Sequence, residues 1–491
     1  MSVDLDVLFV NPGARDAVYQ GLGKDLTAIE PPTWAGMLAT YCRNRGFSVD
    51  ILDAEALHLS TDATGRAVAE RAPLLTVMVV YGHQPSASTQ TMTAAGETLS
   101  AIREYAPESR TLIVGGHVSA LPERTLREEA VDFVCKGEGP RTVDQLLRVL
   151  ASGDLSGLHE VEGLCRLEDD QMVINAPAKN LADLAHDLPG IAWDLLPMDR
   201  YRAHNWHCFD RIDERQPYAS LYTSLGCPFK CTFCCINAPF GRSGIRYQTP
   251  DQVIGELDVL VGEYGVRNLK IVDEMFVLNK RHVEGICDGI LEHGHDLNIW
   301  AYARIDTVKE GLLPKMKQAG FNWLALGIES GSAHVRDGAD KSFGTDDIVK
   351  VVRRIQDEGI YVIGNYIFGL PDDDLDSMQR TLDLALELNC EFGNFYSAMA
   401  YPGSPLYEMA LAQGIALPDS WTGFSQHAHE TLPLSTDKLS AGEVLRFRDD
   451  AFHAYFSHPS YLAMVEAKFG PEVVAHVGQM ASHRLRRKFA A

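Results

Sequence analysis

The stretch Ala219-Ser220-Leu221-Tyr222-Thr223-Ser224-Leu225 runs straight into Gly226-Cys227-Pro228-Phe229-Lys230-Cys231-Thr232-Phe233-Cys234-Cys235. The first seven residues read as a strand. The rest read as a loop that carries Cys227, Cys231 and Cys234 at C-x3-C-x2-C spacing. Thiolates are the usual ligands of iron–sulfur clusters. Three thiols this close can hold three irons of a cubane and leave the fourth open to chelate a small molecule through an amine and a carboxylate. Zinc normally takes four ligands in two pairs. Cys235 is a poor fourth ligand, because it adjoins Cys234 and neighbouring side chains diverge. Cys208, Cys287 and Cys390 stand alone and read as core or surface thiols.

Downstream of the loop, apolar runs recur at 269–272, 299–303, 323–328, 361–368 and 392–400, with helical periods between them. With 219–225 they make six strand candidates, which suits a partial or complete β/α barrel. Upstream, short apolar runs at 7–10, 49–52, 77–80, 112–114 and 133–134 also alternate with helical segments. Runs that short, apolar on both faces, predict a parallel sheet covered on both sides. Ligands of such sheets bind at the C-terminal strand ends. The loops of interest are therefore Asn11-Pro12-Gly13, residues 81–86, Gly115-Gly116-His117 and Gly137-Glu138-Gly139. Residues 151–214 lose this rhythm and read as a linker that packs on its neighbours, with a hairpin-like turn at Asp169-Asp170. Past about residue 410 the strand signal fades. Ser440-Ala441-Gly442-Glu443 fits a capping box and opens a helix with Val444, Leu445, Phe447, Ala451, Phe452 and Tyr455 on one face. The divisions are thus 1–150, 151–214, 215–410 and 411–491.

The composition is that of a folded, soluble protein: 46% of the 491 residues are hydrophobic and 23% charged. The formal charge of −23 disfavours a nucleic-acid partner. The basic run Arg484-Leu485-Arg486-Arg487-Lys488 reads as a short solvated tail. No stretch reaches the roughly 18–20 apolar residues of a membrane span, and the acidic N-terminus lacks the features of a signal peptide. The expected location is the cytoplasm, where ten cysteines stay reduced and clustered ones point to metal or redox chemistry.

The cysteine loop resembles the defining motif of the radical S-adenosylmethionine (SAM) superfamily, and the resemblance extends over about residues 215–410. Phe233 stands where that family places an aromatic near the adenine of SAM. Asp273 and Glu274 end the second barrel strand, where polar residues hold the methionine amino group. Arg304 ends the third strand. Glu329 and Ser330 end the fourth and resemble the ribose-contacting segment. Asn365, at the fifth, resembles the adenine-side segment. Any one of these is weak alone. Their order at successive strand ends, on the barrel face that carries catalysis, makes the set specific.

The first domain lacks G-x-G-x-x-G after its first strand, although Asp53 would suit a dinucleotide fold. Gly21-Leu22-Gly23-Lys24-Asp25-Leu26 lacks the third glycine and comes too late. Placed before a radical SAM barrel, the domain resembles the cobalamin-binding subfamily, most of all in residues 115–123 and 132–140. The resemblance implies an α/β chain: a doubly wound, Rossmann-like cobalamin-binding domain, a (β/α)6 partial TIM barrel and a C-terminal helical region. It implies cobalamin contacts from Pro12, Ser86, Gly115, Gly116, His117, Gly137, Glu138 and Gly139. Many cobalamin domains carry Asp-x-His-x-x-Gly. Here the nearest match, Asp16 to Gly21, has Val18 in place of the histidine, so no lower cobalt ligand is expected. His58 and His83 read as surface or loop residues, and His117 equally well as a ligand-side or a packing residue.

Three cofactors follow from the resemblance: a [4Fe-4S] cluster, SAM and cobalamin. An electron from an external flavodoxin- or ferredoxin-type donor cleaves SAM to methionine and a 5′-deoxyadenosyl radical, which takes hydrogen from an unactivated carbon. The subfamily's commonest outcome is methyl transfer to that carbon of a small-molecule substrate. The alternative is a cyclisation, oxidation or rearrangement from the same radical start. Methylthiotransferases need a second cysteine trio in the first domain, which here holds only Cys42 and Cys135. A non-enzymatic sensor or iron–sulfur carrier leaves the strand-end motifs unexplained. Residues 411–491 are expected to close one mouth of the barrel. Trp421, Phe424, His427 and His429 are candidates to line it, and Tyr396 and Tyr401 are candidates to handle radicals or protons. For all six, packing is at least as good a reading.

Overall fold

The computed structural model describes residues 5–13, 18–20 and 26–490. Asp16, Ala17 and Gly21 of the histidine-motif comparison lie outside the described residues, as do Gly21 to Asp25 of the glycine stretch.

The first sheet begins with five parallel strands: β1 (Val7–Asn11), β2 (Val49–Asp53), β3 (Leu75–Val79), β4 (Arg110–Val114) and β5 (Phe133–Cys135). Their order is β2-β1-β3-β4-β5. It is a doubly wound order whose reversal between β1 and β3 opens a crevice at the C-terminal strand ends. Strand β3 is buried along its whole length, as a sheet covered on both faces requires. The segment read as a linker extends this sheet: β6 (Leu164–Glu168) and β7 (Gln171–Ile174) add an antiparallel hairpin on β5. Asp169 and Asp170 take φ of +49° and +64° in its two-residue turn.

The second sheet is all parallel and runs in chain order: β8 (Tyr218–Leu221), β11 (Asn268–Ile271), β12 (Asn298–Arg304), β13 (Phe321–Glu329), β14 (Tyr361–Phe368) and β15 (Phe392–Ser397). Between β8 and β11, the short antiparallel pair β9 (Ser224–Leu225) and β10 (Arg246–Tyr247) closes the cysteine loop. Strands β8 and β15 do not pair, so this is a (β/α)6 partial barrel. The 3-10 helix Trp206–Arg211, also from the linker segment, plugs the N-terminal mouth. The Trp206 ring meets Trp300, Trp323 and Phe392 at centroid distances of 5.1, 5.6 and 5.7 Å.

Helix Ala441–Phe456 starts at Ser440 with the expected capping box. Its apolar face packs on β15, with Val444, Leu445, Ala451 and Tyr455 buried. An edge strand exposes unpaired backbone groups, and here they are answered by side chains. Arg448 Nε donates to Phe395 O (2.7 Å), and Gln426 bonds both Ser397 N and Ser397 O at 2.9 Å. The basic tail departs from expectation. Arg487 is buried, paired with Asp449 and bonded to Ala428 O and Thr431, so this tail is partly a packing element. Cys208, Cys287 and Cys390 are core thiols. Among the described residues no helix is long and apolar enough to cross a membrane.

Candidate active site at the barrel's C-terminal face

The cysteine loop is fixed at its root. Gly226 takes φ +90°, and a Cβ there would lie 2.5 Å from Gly244 O, so only glycine fits. Gly244 N closes the loop on Cys227 O at 3.1 Å. Asp273, buried at the end of β11, accepts from Thr223 N, Thr223 Oγ1 and Ser224 Oγ, each at 2.6 Å. Its carboxylate therefore positions the strand that launches the loop and is not free to contact a ligand. This corrects the expectation of an Asp273 contact to SAM.

Cys227, Cys231 and Cys234 line a cavity of about 250 Å³ at the strand ends. Glu274, Arg304, Glu329 and Asn365 line it too, so four strands deliver the residues that the motifs single out. Among the described residues, only Asp258, His293 and His295 bring three possible ligand atoms within 4.8 Å of one another. The cysteine sulfurs are thus too dispersed to share a single ion as zinc ligands do, and suit a cluster that takes each thiolate on a separate iron. Burial pushes the Cys227 thiol up to about 12, and Cys231 and Cys234 also upward. Metal ligation would deprotonate all three.

Three of the charged groups around the trio, Arg304, Glu329 and Lys341, are paired. Arg304 Nη1 lies 3.5 Å from Cys231 Sγ, and its guanidinium rests on the Phe229 ring (3.9 Å to the centroid) and grips Asp306 with two bonds. Glu329 takes φ +65° at a register shift between β13 and β14, and its buried carboxylate pairs with Lys341. Lys341 also stands over the Phe233 ring at 6.0 Å. Nothing in the spacing of Asp340-Lys341-Ser342 announced this lysine. Asn365 bridges β13 and β15, donating to Leu326 O and accepting from Asn394. Among the described residues Glu274 reaches the cavity without a hydrogen-bond partner, and burial pushes its carboxyl up to about 8. Ser330 does not reach the cavity. Its hydroxyl is engaged by Thr381 and by Ser332 N, which corrects the expectation for that residue.

The first domain supplies the roof. Gln84, Pro85, Ser86 and Gln90, from the loop after β3 and the helix that follows it, line the same cavity. Gln84, Gln90, Tyr302, Tyr396 and Gln426 also border a second chamber of about 550 Å³. The chamber runs from Pro12 and Gly82, at the β1/β3 reversal, to Lys270 and Trp300 inside the barrel. Tyr302 was legible in principle: it lies two residues before Arg304, on the same face of β12. In this chamber Glu30 accepts from Tyr218 and Lys270 at 2.9 Å and lies 3.0 Å from His83 Nδ1. His83, read as a surface or loop residue, does lie in the loop after β3 but turns its ring inward, while His58 is exposed.

Of the other first-domain candidates, Gly116 borders a narrow crevice between the domains, in ordinary packing distance of its neighbours. A Cβ there would lie 3.7 Å from Ser88 and 3.8 Å from Pro239. The crevice is small, about 40 Å³, and the larger space at the switch point is the chamber beside Pro12. The remaining candidates serve the fold. Gly115 packs β4 against β3, since a Cβ would meet Val80 O at 2.6 Å. His117 is buried, bonded to Thr89 and set edge-on to Trp421 at 4.4 Å. Burial holds it neutral at about 3. Glu138 pins the domains together, with Arg246 at 2.6 Å on one oxygen and Leu181 N at 2.9 Å on the other. Gly137 and Gly139 take φ of +144° and +114° around it, and line neither cavity. Asp53 is likewise occupied, by Asn11, Ala56 N and Tyr201. The side chains of His117 and Glu138 therefore do not face the crevice as expected. In the C-terminal segment, His427 lines the chamber, Trp421 and Phe424 pack, and His429 is exposed.

Comparison with known proteins agrees with this architecture. Residues 20–147 match the B12 binding domain and residues 221–385 the radical SAM superfamily. An uncharacterized methyltransferase of Pyrococcus horikoshii is 28% identical over 86% of this chain and 86% of its own. The anaerobic magnesium-protoporphyrin IX monomethyl ester cyclase of Rubrivivax gelatinosus is 24% identical over 93% of this chain and 78% of its own. The solved radical SAM methyltransferase TsrM of Kitasatospora setae, with cobalamin and a [4Fe-4S] cluster bound, shares the fold. Its TM-score is 0.69 at 17% identity, over 94% of this chain and 90% of that one. Two family matches that together take up more than half the chain, in the order and at the strand ends described, place it among the radical SAM enzymes that carry an N-terminal B12-binding domain.

Proposed function

We propose that the chain is a cobalamin-dependent radical SAM enzyme that methylates an unactivated carbon of a small molecule. The observation that carries the reading is the shared cavity: three loop thiols and four barrel strand ends form its walls, and the loop after β3 of the B12-binding domain forms its roof. When bound, the cluster and SAM supply a 5′-deoxyadenosyl radical, and cobalamin supplies a methyl group.

The chain's own residues hold and shield these partners. Cys227, Cys231 and Cys234 are the cluster ligands, and Arg304 balances the negative charge at Cys231. Glu274 is placed to hold the methionine ammonium, while Glu329 with Lys341, and Asn365, hold the ribose and adenine side. Phe233 packs beside Lys341. Pro12, Ser86 and Gly116, each at the edge of a different cavity between the domains, are the candidates to take the corrin. Gly137, Gly139, Gly115, His117 and Glu138 shape its surroundings from behind. Tyr302 and Tyr396 stand where the two cavities meet, so a substrate in the larger chamber presents its reacting carbon past these phenols. Burial keeps both phenols protonated, as hydrogen-bond donors. Closure of the roof excludes water from the radical. The reductant is an external flavodoxin- or ferredoxin-type protein, and ten free thiols suit a reducing cytoplasm.

The methyltransferase relative favours this outcome, whereas the cyclase relative favours a radical reaction without methyl transfer. Product counting separates them. Anaerobic turnover with reconstituted cofactors should give S-adenosylhomocysteine together with 5′-deoxyadenosine. Formation of 5′-deoxyadenosine alone would leave the radical assignment standing and overturn methylation. Cys231→Ala should abolish both products, and unchanged turnover in that variant would overturn the catalytic site itself.

A further inference from the structure

We propose that Asp258, His293 and His295 form a binding site for a transition-metal dication, zinc above all, on the outer wall of the barrel. His293 is the last residue of helix Lys280–His293. Gly294 follows at φ +68° and turns the chain, with Gly294 N bonded to Leu291 O and His295 N to Ile290 O. This glycine closure of a helix end brings the next side chain back beside the last turn. Both imidazoles consequently face Asp258, on helix Pro250–Gly262. His293 Nδ1 and His295 Nε2 each lie 2.9 Å from the same oxygen, Asp258 Oδ1.

The donor set decides the chemistry. Two imidazole nitrogens and one carboxylate oxygen suit zinc and its neighbours, whereas magnesium and calcium prefer oxygen alone. All three ligand atoms already lie within 4.8 Å of one another. An ion at about 2.0–2.1 Å from each needs only side-chain adjustment. The described residues give Asp258 no lysine or arginine partner, so no fixed cation competes. His295 is largely buried (9% exposed), while His293 and Asp258 are 43% and 45% exposed, which leaves a fourth position open to water. The ion would staple the two helices that flank β11, the strand that ends at Asp273 and Glu274. Its role is structural, since nothing in the cluster faces the catalytic cavity.

The test is anaerobic titration of zinc chloride into the full-length chain, the parent beside His295→Gln and Asp258→Asn, with X-ray absorption at the zinc edge. The parent should bind one equivalent more than either variant, or bind at least tenfold more tightly, with imidazole nitrogen in the first shell. The zinc-free variants should match the parent in circular dichroism. Absence of uptake by the parent, equal uptake by the variants, or a first shell of sulfur alone would each overturn the site. None of these results depends on the cofactor reading.

Discussion

Glu274 carries the sharpest expectation for a single residue. Burial raises its carboxyl to about 8; Asp273 adds to the effect and Lys270 opposes it. Below that pH the group holds a proton, which an incoming ammonium must displace. SAM affinity should therefore rise as pH increases, by up to about tenfold per unit, and level off above about 8. Equilibrium dialysis across this range checks it, and Glu274→Gln should flatten the profile. The sign for stability is the reverse. A carboxyl raised above its unfolded value favours the fold at low pH, and that contribution is lost as pH climbs through about 8. Glu274 and its neighbour Asp273 also show where reading a sequence stops. Both were candidates because they follow a strand end, but the chain leaves β11 at Ile271 and turns at Glu274, which sends the two side chains to different places. One faces the cavity, and the other is taken up by Thr223 and Ser224. Ser330 and His117 show the same limit: a motif fixes the position of a backbone, while the partners that engage the side chain, Thr381 for one and Thr89 for the other, come from elsewhere in the chain.

At the level of elements, all six barrel strands were legible, because each is an apolar run bounded by turn residues. The hairpin β6/β7 was less so. Only the first three residues of β6 are buried and β7 is exposed or half-buried, so the apolar alternation is faint, and the hairpin's place beside β5 is fixed by long-range pairing. The two-residue strands β9 and β10 are too short to leave a pattern. Beside them lies the pin between the sheets: Arg246 of β10 bonds Glu138, from the loop after β5, and Leu181 O. Glu138 is 4% exposed at its side chain. Its removal leaves one arm of the guanidinium, Nη2, and the Leu181 N–H unanswered in a largely buried contact. Glu138→Ala should destabilise the docked form by about 3 kcal/mol. The expected readouts are a lower denaturant midpoint and faster proteolysis within residues 151–214, with Glu138→Gln falling between. An unchanged midpoint would mean that the pair is not what joins the domains.

For the whole molecule, the order of domains was readable from sequence, but the contact between them was not. Trp421, from the C-terminal segment, sits edge-on to His117, stacks under Arg124 at 4.0 Å and donates to Glu129 at 3.2 Å. Its three partners all belong to the first domain, so the C-terminal region grips that domain as well as the barrel edge. Trp421→Ala should cost about 3–5 kcal/mol of packing there. If this grip holds the roof in place, SAM cleavage should persist in the variant while product per 5′-deoxyadenosine falls several-fold. Quantifying both species in one reaction decides it, and an unaltered ratio would rule out the coupling.

The loop after β3 lines both the narrow crevice at Gly116 and the cavity of the three thiols, with Gln84 and Pro85 common to the two. A wall held in common cannot adapt to one occupant without being felt by the next. Filling the two compartments is therefore one thermodynamic process. Whichever guest arrives first resets the affinity seen by the second, and by the same factor in either order of mixing.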